Sequence, residues 1–92
     1  MIGMLAGSKA GHDKTEVYVI VAEDEKYVYL CDGRLKPLEK PKKKSRKHIQ
    51  IIKTTVNEEL QNRLKAGKTV SNEEIKRLIK EFNRKDREEK NV

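Results

Sequence analysis

The chain is predicted to be mainly β, a small and strongly bent five-stranded barrel followed by two C-terminal helices. Three observations carry that expectation. Apolar residues alternate with period two from Met1 to about Lys53, turn signals cut this half into short runs, and beyond Val56 the apolar period becomes that of a helix. The change of period places a barrel in residues 1–53 and a helical extension in residues 54–92.

The first strand is expected around Met4 to Ser8. In VYVIVA, Val17, Val19 and Val21 alternate with Tyr18, Ile20 and Ala22, which reads as a strand with one buried face and a second that is also largely apolar. Lys26 to Cys31 repeats the theme, with Val28 and Leu30 on one side and Tyr27, Tyr29 and Cys31 on the other, after a charged EDEK hairpin. Asp32-Gly33 signals a type I′ reversal, because that turn needs positive φ at both central positions. A short strand over Arg34 to Leu38, interrupted by Pro37, suits a sheet edge. After KPKKKSRK, the run HIQIIK from His48 to Lys53 is again strand-like. Five short strands in so few residues close most economically as an SH3-like barrel, which leaves no long exposed edge.

Thr55-Val56-Asn57-Glu58 has capping-box spacing, and Leu60 and Leu64 mark one face of a short helix ending at Gly67. Ser71-Asn72-Glu73-Glu74 is a second capping box. Ile75, Leu78, Ile79 and Phe82 follow it as an amphipathic stripe, expected to pack on its own domain, with a partner's groove as the lesser alternative. Glu59 to Arg63, Glu73 to Arg77 and Glu81 to Lys85 are acid-before-base pairs that support a solvated face. The final RKDREEKNV has no apolar partner and is expected to fray.

A length of 92 residues allows one compact domain with an appendage and leaves little room for a large enzyme cleft. The 22 Lys and Arg residues exceed the 15 Asp and Glu, a formal charge of +7, so anionic partners are favoured, nucleic acid and anionic lipid first. VYVIVA is far shorter than the ~20 apolar residues a spanning helix needs, and the second helix disperses acids among its bases, unlike an interfacial helix. A membrane is therefore not the expected partner. The opening MIGMLAGSKAG lacks the basic start and apolar middle of a secretory signal, so a cytoplasmic chain is expected. Cys31 is the only cysteine and has no histidine base near it in sequence, so neither a disulfide, a nucleophile nor a metal cluster is expected. No paired carboxylates or P-loop are found, so the chain is read as a monomeric non-enzyme without cofactor or small-molecule substrate.

Two basic segments remain. In SKAGHDKT, Gly11 permits a sharp turn and close backbone approach, and Lys9 and Lys14 flank it, a surface suited to phosphate; the same loop also reads as an ordinary solvated hairpin. From Lys36 to Lys53 there are eight basic side chains and a single acid, Glu39, a net of +7 that equals the excess of the whole chain. Lys40, Lys42, Lys43, Lys44, Arg46 and Lys47 make its centre. It reads as a phosphate-contacting segment, or as lysines that blunt an edge strand. His48 closes the run as a further RNA contact or as the start of a strand. Tyr18, Tyr27 and Tyr29 suit stacking on unpaired bases, or cover the sheet.

The order of these pieces resembles the KOW-domain RNA-binding proteins of the bacterial type related to large-subunit ribosomal proteins. The resemblance spans roughly the first half of the chain. It rests on SKAG-x-DK before an alternating apolar strand, an acidic hairpin, an apolar run into DG, a basic short strand, and KPKKK-x-[RK]-KH. It implies an SH3-like barrel without catalytic activity, whose glycine-bearing loop, here Lys9, Gly11, His12 and Lys14, contacts ribosomal or other RNA. His12 stands where relatives often have arginine and Thr15 where many have glycine; a histidine cannot make arginine's bidentate phosphate contact. RNA, above all ribosomal RNA, is thus the expected partner, together with a ribosomal or translation-factor protein. The rival expectation is a protein-interaction module in which the barrel docks a transcription or translation factor and the Ile79 and Phe82 stripe meets that partner.

Overall fold

The computed structural model describes residues 1–8 and 16–90. Five strands, β1 (Leu5–Ser8), β2 (Val17–Glu23), β3 (Tyr27–Cys31), β4 (Lys42–Ser45) and β5 (Ile49–Ile52), form one antiparallel sheet in the order β4-β3-β2-β1-β5. Two helices follow, α1 (Glu58–Lys65) and α2 (Asn72–Lys90).

Strand alternation gives the sheet two apolar faces, as the valine-rich β2 requires. On one, Leu5, Val19 and Cys31 are buried together with Leu60 and Leu64 of α1 and Ile75 and Leu78 of α2. Ile79 and Phe82 pack against the same cluster, so the amphipathic stripe is spent on the chain's own core. On the other face Ala6, Tyr18, Ile20, Val28, Leu30 and Ile49 are buried, and among the described residues Met4 and Ile51 pack against them and no helix does. Burial of such a face by sheet residues fits a sheet that curls on itself. The two edge strands are joined by a single 3-10 turn over Arg46–His48, which draws them together. A register shift between Ile20 and Ala22 marks a bulge in β2, a common device for bending a strand. Among the described residues no ladder joins β4 to β5. The closed barrel expected from the strand count is therefore a bent, open five-stranded sheet.

Three expectations need correction. Arg34 to Leu38 is not a strand. Asp32 Oδ1 accepts from the N–H groups of Arg34 and Lys36, both at 2.8 Å, and Leu38 N–H donates to Asn72 Oδ1 at 2.8 Å, so donors that a ladder would use are taken by side chains. The chain does reverse at Asp32-Gly33, but among the described residues none other than glycine has positive φ, which excludes type I′. Gly33 alone takes φ +77, and a Cβ there would lie 2.4 Å from the Asn72 carbonyl oxygen, so the loop can seat on the start of α2 only with glycine. The edge strand is instead the lysine run itself, Lys42–Ser45. Thirdly, the backbone helix of α2 continues to Lys90 and so takes in most of RKDREEKNV, the segment from Arg84 expected to fray.

The helix ends obey their local signals with one shift. Asn57, not Thr55, caps α1, its side chain accepting from Leu60 N–H at 3.1 Å. Gly67, at φ +72, ends it, with Gly67 N–H donating to Leu64 O and Lys68 N–H to Arg63 O. Ser71 and Glu74 form the expected capping box at the start of α2. Arg63 joins the helices by donating to Glu74 and to the Thr69 carbonyl, and it lies 3.8 Å from Glu59, while Glu73 pairs with Lys76 rather than Arg77.

Candidate functional site

The loop residues Lys9, Gly11, His12 and Lys14 lie outside the described residues. The remaining candidates fall on one edge of the sheet, but they do not all face one way. In β4, Lys42 and Lys44 sit opposite Leu30 and Val28, on the curled face, whereas Lys43 and Ser45 sit opposite Tyr29 and Tyr27 on the other. A run of three lysines that looks continuous in sequence is thereby divided by the period of the strand. Lys42 Nζ stands 5.9 Å from the centre of the buried Tyr18 ring, so Tyr18 is a covering residue.

Arg46 is committed locally. Its Nε donates to the Asp24 carbonyl at 2.8 Å and its Nη2 to Glu23 Oε1 at 3.0 Å. Glu23 also meets the Met1 ammonium at 2.7 Å, and that hydrogen bond above all, with Arg46 assisting, holds its carboxyl below the usual range. Lys47 and His48 follow in the 3-10 turn with exposed side chains; Ser45 Oγ starts the turn by accepting from Lys47 N–H at 3.3 Å. Lys40 is exposed in the loop before β4.

The most distinctive group on this edge is aromatic. Tyr27 is 37% exposed, and Lys43 Nζ stands 4.2 Å from its ring centre, close enough for a cation–π contact. Asp24 fixes the hairpin beneath them. Its Oδ1 accepts from Lys26 N–H at 2.9 Å and Tyr27 N–H at 2.8 Å, and Tyr29 Oη donates to Oδ2 at 3.4 Å. Those contacts, Tyr27 N–H first, lower the Asp24 pKa. Arg46 N–H donates to the Lys26 carbonyl, so the basic turn starts beside Tyr27. The edge can therefore offer a flat ring, an ammonium and further cations to a planar or phosphorylated ligand.

Cys31 is fully buried, and burial pushes its thiol up to about 11, which keeps it protonated. Among the described residues no group of three or more His, Cys, Asp or Glu lies together. No helix among them is long and apolar enough to cross a membrane.

A second cationic surface lies on α2. Arg77, Lys80 and Arg84 lie along the solvent side of α2, beside a groove of ≈ 700 Å³ whose opposite wall includes Arg34. Their i, i+3, i+7 spacing was the available signal, hidden because Glu73, Glu74 and Glu81 make the helix look balanced in composition. No family model matches the chain, and no curated protein matches it.

Proposed function

We propose that the chain is a non-enzymatic RNA-binding protein of the KOW type, its bent sheet an SH3-like barrel, acting on ribosomal RNA or in a ribosome-assembly or translation complex. The observation that carries this reading is the exposed Tyr27 ring under the Lys43 ammonium, on the edge where the +7 excess is concentrated. A ring with a cation over it stacks on unpaired bases of any sequence, and the lysines around it meet the backbone. The loop Lys9 to Lys14 belongs to the same reading through the KOW resemblance that its residues carry. A protein-interaction module, the rival, needs the Ile79 and Phe82 stripe, and that stripe packs on the sheet.

The test is fluorescence anisotropy of the full chain with a labelled single-stranded RNA at several salt concentrations. Tyr27→Ala is expected to weaken binding by about 1–3 kcal/mol without changing the salt slope, as removal of one stacking ring should. Lys43→Ala with Lys47→Ala is expected to reduce the slope of log K against log salt by roughly 0.7 for each phosphate no longer neutralised. Wild-type chain that fails to bind, or variants that bind as wild type does, would remove the reading.

A further inference from the structure

We infer that the exposed side of α2, with Arg34 across the groove from it, is a second phosphate-binding surface, fitted to the backbone of a double-stranded RNA segment, so that the chain takes RNA in which a helix adjoins unpaired nucleotides. The inference rests on the RNA-binding reading above and names the class of RNA.

Four features of the α2 surface support it. First, at 3.6 residues per turn Arg77, Lys80 and Arg84 fall within an arc of about 60°, and Arg77 to Arg84 spans about 10 Å along the axis. Phosphates on one strand of a duplex recur every ~3.4 Å of axis in B-DNA and more closely in A-form RNA, so the stripe runs past about three or more of them. Second, these cations are available. Arg46 and Arg63 are engaged by carboxylates and carbonyls, whereas among the described residues no hydrogen bond or ion pair holds the side chains of Arg34, Arg77, Lys80 or Arg84.

Third, the acids at the groove do not neutralise it. Glu16, Asp32 and Glu81 line it against Arg34, Lys76, Arg77, Lys80 and Arg84, so positive charge stays in excess even with Lys76 paired to Glu73 at 3.0 Å. Fourth, among the described residues no aromatic side chain lines the groove. A cationic surface without rings on a regular helix meets evenly spaced phosphates and cannot stack on unpaired bases. The β3–β4 edge, with Tyr27, has the opposite character. Ile75 and Leu78 of α2 are buried in the core and Ile79 and Phe82 pack partly against it, so the apolar side of the helix is turned to the sheet rather than outward. The longest dimension of the molecule is 38 Å, little more than one turn of a duplex at about 34–36 Å per B-DNA turn, so one short RNA can reach both surfaces.

The experiment compares a labelled RNA hairpin bearing a single-stranded tail with the same tail alone, at one salt concentration, using the full chain. Wild type is expected to bind the tailed hairpin about tenfold more tightly, as two to three added phosphate contacts would give. The Arg77→Ala, Lys80→Ala, Arg84→Ala triple variant is expected to lose that preference while keeping its affinity for the tail within about twofold, and to lose about 2 units of salt slope on the hairpin. Thermal unfolding of the triple variant reports whether it folds; Arg34→Ala, on the other wall, is expected to lose part of the same preference and serves if it does not. Equal wild-type affinity for the two RNAs, or a preference that survives the substitutions, overturns the inference and leaves the RNA-binding reading standing. Failure of wild type to bind either RNA overturns both.

Discussion

Gln61 shows how much one polar side chain can organise. It is 7% exposed, donates from Nε2 to the Gly3 carbonyl at 2.9 Å, and accepts at Oε1 from Val56 and Asn57 N–H, both at 3.3 Å. One amide thus ties the start of the sheet to the start of α1. Gln61→Leu has similar volume but leaves those backbone groups without their partner. It is expected to cost about 1–3 kcal/mol, and each kcal/mol lowers Tm by about 4–8 °C in a domain of this size. An unchanged thermal midpoint would mean that water replaces the amide. Nothing in the sequence marks Gln61, because its partner Gly3 is distant in the chain. Tyr27, by contrast, was legible as a stacking residue or a cover for the sheet, and what the fold adds is its exposure and the lysine over it.

At the level of elements, the β2–β3 hairpin illustrates how a turn can carry a charge-dependent stability. The Asp24 carboxylate receives the Tyr27 and Lys26 N–H groups and its pKa is lowered. A lowered carboxyl contributes stability that is complete above its ordinary value, near 3.9, and is lost as pH falls through the lower value in the fold. In a pH titration followed by amide NMR, the Lys26 and Tyr27 resonances are expected to move with a midpoint below about 3.9, and Asp24→Asn to abolish that step. A midpoint at or above the ordinary value would contradict the assigned contacts. The strand β4 is the element that sequence reasoning placed wrongly. Lysines have low strand propensity, yet an edge strand needs only backbone groups to pair and tolerates solvated cations. Asp32 and Asn72 meanwhile take N–H groups from the segment that looked more strand-like.

For the molecule as a whole, the two apolar faces decide what can fold alone. Leu5, Val19 and Cys31 are fully buried in a cluster that includes α1 and α2. A chain ending at residue 53, the boundary suggested by the change of period, would expose that face, and a domain so short buries only about 60% of its unfolded surface. Such a fragment is expected to show no cooperative thermal transition by circular dichroism, while residues 1–90 are expected to melt cooperatively. A folded fragment would make the helices an accessory rather than part of the core.

Much of this chain can be read from neighbouring residues alone: the element types over most of its length, the glycine stop at Gly67, the capping box at Ser71, the stripe Ile75, Leu78, Ile79 and Phe82, and the concentration of charge from Lys36 to Lys53. Each of these is set by period, capping chemistry or composition, which are local properties. Folding alone settles which face each lysine of β4 takes, that Arg46 is tied to Glu23 and Asp24, that Gln61 bridges sheet and helix, and that Arg34 stands across a groove from Arg77, Lys80 and Arg84. Those facts depend on register and on contacts between residues far apart in the chain, and no local pattern encodes them.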